Sequence, residues 1–373
     1  MAASTLTTTY AAAFTTLQSA PGIWKRCDNS SGSARFVCST RSRVTFRKRA
    51  SAPMMAEAAP YGKMRIAVAG GTGFVGSKLT KRLIEDGNTV VLLARSPAVA
   101  LGMLPGAEAA RFNAGAEPLG KEEQSKLNEV IEGCDAVVNL AGEPIAEGRW
   151  TDARKKQLVD SRVNSTLALA DAIQAAQNKP AVFVSGSAIG YYGTSETAEF
   201  DESAPPGADF LASVCIKWEE AADKVASQVR TVKLRTGIVL GASGGALAKM
   251  MPLFTVFLGG PLGSGTQWVS WIHIDDEVGI IVHALQSKSV QGALNGTAPK
   301  PVTFSEMCAA LGRAMRRPSW LPAPGVALQI LLGESSTLVL DGQKVLPKRT
   351  LESGYKFKYS TIDEAMTEIV QSI

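Results

Sequence analysis

Residues 64–76 read MRIAVAGGTGFVG. An apolar alternation at Ile66 and Val68 halts at Gly70-Gly71-Thr72-Gly73, and helical spacing begins at Phe74. The pattern is a strand, a tight glycine turn and a helix. Glycine allows backbone torsions closed to other residues and lets the main chain approach a ligand. Free N–H groups at a helix start attract an anion. The spacing satisfies both G-x-x-G-x-x-G (Gly70, Gly73, Gly76) and G-x-G-x-x-G (Gly71, Gly73, Gly76). In this strand-to-helix context it points to a dinucleotide pyrophosphate site in a Rossmann unit, with Thr72, Phe74 and Val75 beside the glycines.

Outward from the turn, strand and helix patterns alternate. Phe74 to Asp86 reads as a helix and Thr89 to Ala94 as a buried strand. Ala136–Leu140, Ala181–Ser185 and Thr231–Leu234 read as further strands, and Trp150–Gln177 as a long helix. Apolar strands separated by helices imply a parallel sheet covered on both faces, a doubly wound α/β fold with ligands at the carboxyl ends of the strands. The expected organisation is an NADP-binding Rossmann domain over 64–240 and a small substrate lobe with returning core elements over 241–300. A C-terminal extension over 301–373 carries helices at Thr303–Met315 and Ser360–Val370. The apolar run Val326–Leu332 is too short to span a membrane and reads as core or interfacial.

The second strand ends Leu93-Ala94-Arg95-Ser96, about 20 residues past the turn, where an acid would bind the ribose 2′-hydroxyl of NAD. Here Arg95 can pair with a 2′-phosphate and Ser96 can hydrogen-bond to it, which favours NADP.

Residues 1–55 are a different kind of chain. They hold 16 Ser or Thr, eight Lys or Arg and one acid, Asp28. This is the composition of an organelle transit peptide, and the late arginines resemble a plastid address. Cleavage after Cys38 or nearer Ala56 is compatible with the sequence. The whole chain carries +5. The first 55 residues contribute +7, so the remainder stands near −2 and lacks the basic footprint of a nucleic-acid binder. Beyond the leader only Cys134, Cys215 and Cys308 remain, scattered and odd in number, which suggests neither a disulfide framework nor a zinc site. With His273 and His283 as the only histidines, a His-rich metal cluster is excluded, and no metal is expected.

Longer segments resemble a known family, the extended short-chain dehydrogenases/reductases of the epimerase type. Gly70-x-x-Gly73-x-x-Gly76 matches its first motif, and Asn139-Leu140-Ala141-Gly142 the motif after the fourth strand. Ser185 to Gly193 is similar to the fifth-strand segment that carries a catalytic Ser, and Leu234 to Gly241 to the segment on the nicotinamide side. Trp271 to Asp276 matches a late Val-His-Val-Asp-Asp-like element. Gly148–Thr151, Ser161–Thr166, Asp209–Leu211 and Lys217–Glu219 resemble the atypical epimerase-family proteins. Trp320–Pro324 and Leu346–Arg349 are similar to that family's added C-terminal domain, and with the leader the chain resembles its plant plastid branch.

The resemblance implies NADP held by the glycine turn, Arg95, Ser96, Leu140, Ala141, Gly142, Lys217 and Thr236. It implies Ser187 as a catalytic hydroxyl near a substrate carbonyl, and a chloroplast protein in the stroma, peripheral on the inner envelope, that promotes plastid division. Homodimers in that family form through two long helices, here those around Trp150–Gln177 and Asp209–Ala226. The superfamily chemistry uses Tyr-x-x-x-Lys on one helical face, where Lys lowers the Tyr pKa. In this chain Ser213 stands four residues before Lys217. Tyr191 or Tyr192 is then the candidate proton donor, or packs the cleft edge. Glu143, Arg149 and Trp150 either face substrate or serve the structure. Arg235 anchors an acidic group or a carbonyl, His273 hydrogen-bonds beside Asp275, Cys215 and Trp218 pack, and Trp268 and Trp271 belong to the core. Two functions remain open. One is an NADP-dependent oxidoreductase or epimerase with a small-molecule substrate. The other is a catalytically silent nucleotide-binding regulator or scaffold that meets plastid-division proteins at the envelope.

Overall fold

Seven strands form one parallel sheet: β1 (Arg65–Ala69), β2 (Thr89–Ala94), β3 (Glu108–Arg111), β4 (Ala136–Asn139), β5 (Val182–Ala188), β6 (Arg230–Thr236) and β7 (Gly292–Gly296). Their spatial order is β3-β2-β1-β4-β5-β6-β7. The computed structural model describes residues 62–373 other than 114 and 116, so the leader expected over 1–55 lies outside the described residues. The described residues belong to one unit.

Strand β1 pairs with β2 on one side and β4 on the other, Ile66 lying opposite both Val90 and Ala136. The order reverses there, and in an open α/β sheet that reversal opens a crevice beyond the carboxyl ends of the two strands. The alternation within β1 assigns its two faces. Ile66 and Val68 join a core with Leu79 and Leu83 of helix α1 (Phe74–Glu85), to which Ile280 and Ile281 also belong. Ala67 and Ala69 join a second core with Leu127 and Ile131 of Lys121–Glu132, Leu169 and Ile173 of Asp152–Ala175, and Phe183. Small alanines on this side let helices approach the sheet closely.

The helix expected over Trp150–Gln177 runs over Asp152–Ala175, because the Thr151 hydroxyl accepts the Arg154 N–H at 3.2 Å and caps it. The elements that went unread in the sequence include β3, the helices Lys121–Glu132 and Ile274–Gln286, and β7. Strand β3 is Glu-Ala-Ala-Arg at the sheet edge, without the β-branched residues that mark a strand.

A third core joins the lobe to the C-terminal segment. Leu247 and Phe254 of Gly245–Thr255 pack with Trp271, with Met307 and Leu311 of Phe304–Met315, and with Met366 and Ile369 of Ile362–Gln371. Thr303 and Glu306 close a capping box on the first of these C-terminal helices. The run Val326–Leu332 falls in a helix, Gly325–Leu332, that buries Leu328 but leaves Val326 and Ile330 exposed, so it is not a core element. No helix among the described residues is long and apolar enough to cross a membrane. Cys134, Cys215 and Cys308 are buried free thiols.

Candidate nucleotide-binding site

Strand β1 delivers the chain to Gly70, whose φ of +76° suits glycine. A Cβ at Gly70 would lie 2.6 Å from the Leu140 carbonyl carbon, and one at Gly76 would run into the Gly70 carbonyl oxygen. The Gly73 N–H closes the turn on that oxygen at 3.0 Å. Gly73 is the N-cap of α1, and its side-chain position is blocked by nothing nearer than the Gly70 oxygen at 3.3 Å. No side chain caps α1 and its first turn holds no acid, so its N–H groups are left to a ligand. These residues fit a pyrophosphate.

The turn opens into a cavity of about 750 Å³. Gly70, Gly73, Phe74, Val75, Gly76, Leu140 and Gly142 line one end, and Ser187, Thr236, Trp218 and Glu277 line it further along. Thr72 is half-buried on the turn outside this lining, and the Ala141 N–H is taken by Asn139 Oδ1 at 3.1 Å. Arg95 and Ser96 are exposed past the end of β2, also outside the lining. Ser96 is the N-cap of Pro97–Met103, and Arg95 enters no ion pair among the described residues.

The sheet register builds the other end. Ser187 on β5 lies opposite Arg235 on β6, and Arg235 opposite Asn295 on β7. Glu219 of helix Phe210–Asp223 reaches down to this row. The Ser187 hydroxyl donates to Glu219 Oε1 at 2.7 Å, and Arg235 donates to both carboxylate oxygens at 2.8 and 2.9 Å. Arg235 also donates to the Tyr192 oxygen at 3.0 Å, and Tyr192 donates to Asn295 Oδ1 at 2.7 Å. All five side chains are buried. Burial pushes the Tyr192 phenol up to about 12 against the pull of Arg235, so it remains protonated. Because Ser187 spends its proton on a carboxylate, its oxygen faces a ligand as an acceptor. Of the two readings of Arg235, the structure selects the acidic anchor.

On the opposite face, Thr236 donates to Glu277 Oε1 at 2.7 Å, while Glu277 Oε2 is buried without a partner. Burial pushes this carboxyl up to about 8 against the Thr236 bond, so it is mainly neutral at pH 7.

Two expected site residues stand elsewhere. Lys217 is exposed and outside the cavity lining, as are no members of the row Leu211, Val214, Cys215 and Trp218, which face the cavity. Those four follow i, i+3, i+4, i+7 spacing, so Ser213 and Lys217 fall on another stripe. The four-residue pairs on the cavity face are Leu211 with Cys215 and Val214 with Trp218, neither of them a Tyr-Lys pair; burial pushes the Cys215 thiol up to about 12. Tyr191 is also outside the lining, its ring stacked 3.4 Å from the Arg235 guanidinium carbon. Lys217 is therefore corrected as a cavity residue, and Tyr191 packs against Arg235 instead of lining the cavity.

Other candidates divide. Glu143 and Trp150 line the cavity, whereas Arg149 donates to the Ile330 carbonyl at 2.8 Å. Trp268 lines it too, and Trp271 is fully buried. His273 accepts the Asp275 N–H at Nδ1 and meets Glu368 at 2.8 Å through Nε2. Glu219, Asn295 and Glu277 were missed; the only signal for Glu219 was its place one residue after Trp218 in a quoted segment.

The sheet order and the glycine turn at its reversal define a class, the doubly wound nucleotide-binding α/β proteins. Residues 66–295 match the family model described as the NAD dependent epimerase/dehydratase family, and residues 323–369 match a domain of unknown function, DUF1731. The chain belongs to the NAD dependent epimerase/dehydratase family. The chloroplastic homologue of epimerase family protein SDR39U1 from Arabidopsis thaliana is 47% identical over 311 residues, covering 83% of this chain and 87% of that protein. Epimerase family protein SDR39U1 from Homo sapiens is 39% identical over 311 residues, covering 82% and 100%. A crystal structure of the human protein (isoform2) with NADPH matches at TM-score 0.74 and 38% identity, over 83% of this chain and all of that one.

Proposed function

We propose that this protein is an NADP-linked oxidoreductase or epimerase acting on a small molecule. The observation that carries the reading is the uncapped start of α1, opening through Gly73 into the cavity that Ser187 lines. Gly70, Gly73 and Gly76 would hold the pyrophosphate, and Arg95 with Ser96 the 2′-phosphate. The nicotinamide supplies hydride exchange with a carbinol or carbonyl carbon. Leu140, Ala141, Gly142 and Thr236 would position the nucleotide. Ser187 accepts the substrate hydroxyl's hydrogen bond and directs its own proton to Glu219, whose charge Arg235 holds. The relative crystallised with NADPH supports the choice of nucleotide.

The chloroplastic name of the Arabidopsis relative supports a plastid location for this chain. Within it, the finer reading is a stromal protein of the Giant Chloroplast or SulA type, peripheral on the inner envelope, that promotes plastid division. A second function is a catalytically silent regulator at that membrane. The apolar cavity face Leu211–Val214–Cys215–Trp218, with no Tyr-Lys pair, favours it.

Calorimetric titration with NADPH and NADH in parallel tests the first reading. Tight binding of NADPH, weakened by Gly73→Asp, is expected. Binding of neither nucleotide overturns it. NADPH binding without turnover of any hydroxy or carbonyl compound favours the silent regulator.

A further inference from the structure

Beyond Ser187 the cavity has an aromatic end, lined by Ile145, Trp150, Phe210, Trp268 and Leu338. The Trp150 and Phe210 rings meet edge to face with centroids 5.2 Å apart, and the Trp150 indole N–H is spent on the Ile145 carbonyl at 3.1 Å. Helix Phe210–Asp223 joins this end to the serine. Its cavity row begins at Leu211 and ends at Trp218, a rise of about 10 Å. A Cβ at Gly190 would come within 3.1 Å of Leu211, and one at Gly186 within 2.8 Å of Trp218. The row therefore runs beside the end of β5, and Ser187 lies along it.

The charges at the aromatic end oppose an anion. Arg162 is the only basic side chain among the described residues that line the cavity, and it packs on Gly142 in the turn after β4, at the nucleotide end. The bases around the aromatic end are engaged: Arg154 with Glu143, Lys155 with Glu334, Lys344 with Glu199, and Arg149 with the Ile330 carbonyl. Two acids line the cavity here, Asp209 and Asp341. The Asp341 carboxyl is raised first by burial and then by the charges of Glu196 and Asp209. An anion drawn out of water against such a wall would have no cation to compensate it. An apolar body loses water there at a gain.

We propose that the aromatic end holds the uncharged, apolar body of the substrate, so that the compound handled at Ser187 is an alcohol or ketone carrying an aromatic or aliphatic group, not a nucleoside-diphosphate sugar. The proposal rests on the NADP-linked reading above. The hydroxyl or carbonyl oxygen of such a compound reaches Ser187 while its apolar part lies along Leu211 toward Trp150 and Phe210. A pyrophosphate in the same place would set its charges beside Asp209 and Asp341.

The experiment saturates the full chain with NADPH and titrates it calorimetrically with 2-naphthalenemethanol, with 2-naphthoate and with UDP-glucose. The alcohol is expected to bind, the carboxylate on the same ring to bind about tenfold or more weakly, and UDP-glucose not to bind. Two variants test the place. Phe210→Ala is expected to weaken the alcohol by about fivefold or more. Leu338→Lys sets a cation in the wall and is expected to weaken the alcohol and tighten the carboxylate, each by about threefold or more. Both should keep NADPH affinity within about threefold. Binding of UDP-glucose, a carboxylate that binds as tightly as the alcohol, or no binding of the alcohol overturns the proposal. Unchanged affinities in the variants overturn it too, and if one variant does not fold the other decides alone. If the unmodified protein binds no NADPH, the nucleotide reading fails separately, and the same three titrations without nucleotide still decide for the aromatic end.

Discussion

Ser187 donates its hydroxyl proton to Glu219 at 2.7 Å, and the same carboxylate is gripped by Arg235 through both oxygens. The serine is thereby an acceptor toward the cavity, and the carboxylate behind it compensates a buried cation. Removing one partner of a buried pair leaves the other uncompensated, which costs about 3–5 kcal/mol. Glu219→Ala is expected to lose stability in that range, while Ser187→Ala loses one bond to a charged group, about 1.5–3 kcal/mol. Urea denaturation of both variants checks the order. Equal losses would show that Glu219 and Arg235 do not act as a buried pair.

Lys217 provides the opposite case. Its exposed position outside the cavity predicts that Lys217→Ala changes stability by no more than about 0.5 kcal/mol. Nucleotide affinity should also hold within about twofold, under 0.5 kcal/mol by the same conversion. Trp218→Ala, one residue further on, removes a largely buried ring from the cavity wall and is expected to cost about 3–5 kcal/mol. Thermal melting and NADPH titration of the two variants read the helix phase directly. Loss of NADPH binding in Lys217→Ala would restore the lysine to the site.

Glu277 makes stability depend on pH. Its carboxyl is pushed up to about 8 in the folded chain, from an ordinary value of 4.5. The folded state therefore binds more protons than the unfolded state between those values, and stability falls as pH rises through that window. Above about 8 the loss is complete; below 4.5 it is absent. Fully buried, the group accounts for a loss on the order of a few kcal/mol. Urea midpoints measured from pH 5 to 8.5 should decline in the unmodified protein, and the Glu277→Gln variant should show a smaller decline. Parallel curves would place the titration elsewhere.

The sheet and its nucleotide end were legible because local rules fix them. The glycine spacing, the apolar runs of β2, β4 and β5, and the helix after β1 each carry their signal within a dozen residues. The reacting end was not, because three strands and a helix assemble it. Ser187, Arg235 and Asn295 form a row only through the register of β5, β6 and β7, and no local pattern encodes that register. The placement of Lys217 failed for a related reason. Four-residue spacing tells which residues share a stripe but not where that stripe points, and the stripe facing the cavity is set by Leu211, Val214, Cys215 and Trp218. Glu277 gave no signal, since a carboxylate in the first turn of a helix is ordinarily a solvated partner of the dipole.

Arg95 stands exposed past β2 with no ion pair among the described residues, at the place where a 2′-phosphate would lie if the pyrophosphate sits on α1. A bond between a guanidinium and a phosphate contributes about 1.5–3 kcal/mol, so Arg95→Ala is expected to weaken NADPH by about tenfold or more. NADH, which lacks that phosphate, should be nearly unaffected. Arg95→Glu adds repulsion toward the phosphate and offers a carboxylate to a 2′-hydroxyl, so it should move the preference toward NADH. Paired titrations with both nucleotides measure the ratio. A ratio unchanged in Arg95→Glu sinks the assignment of Arg95, while the glycine turn stands or falls on a different variant. Gly76→Ala drives a Cβ into the Gly70 carbonyl oxygen, so it should lower affinity for NADPH and NADH together and leave their ratio alone.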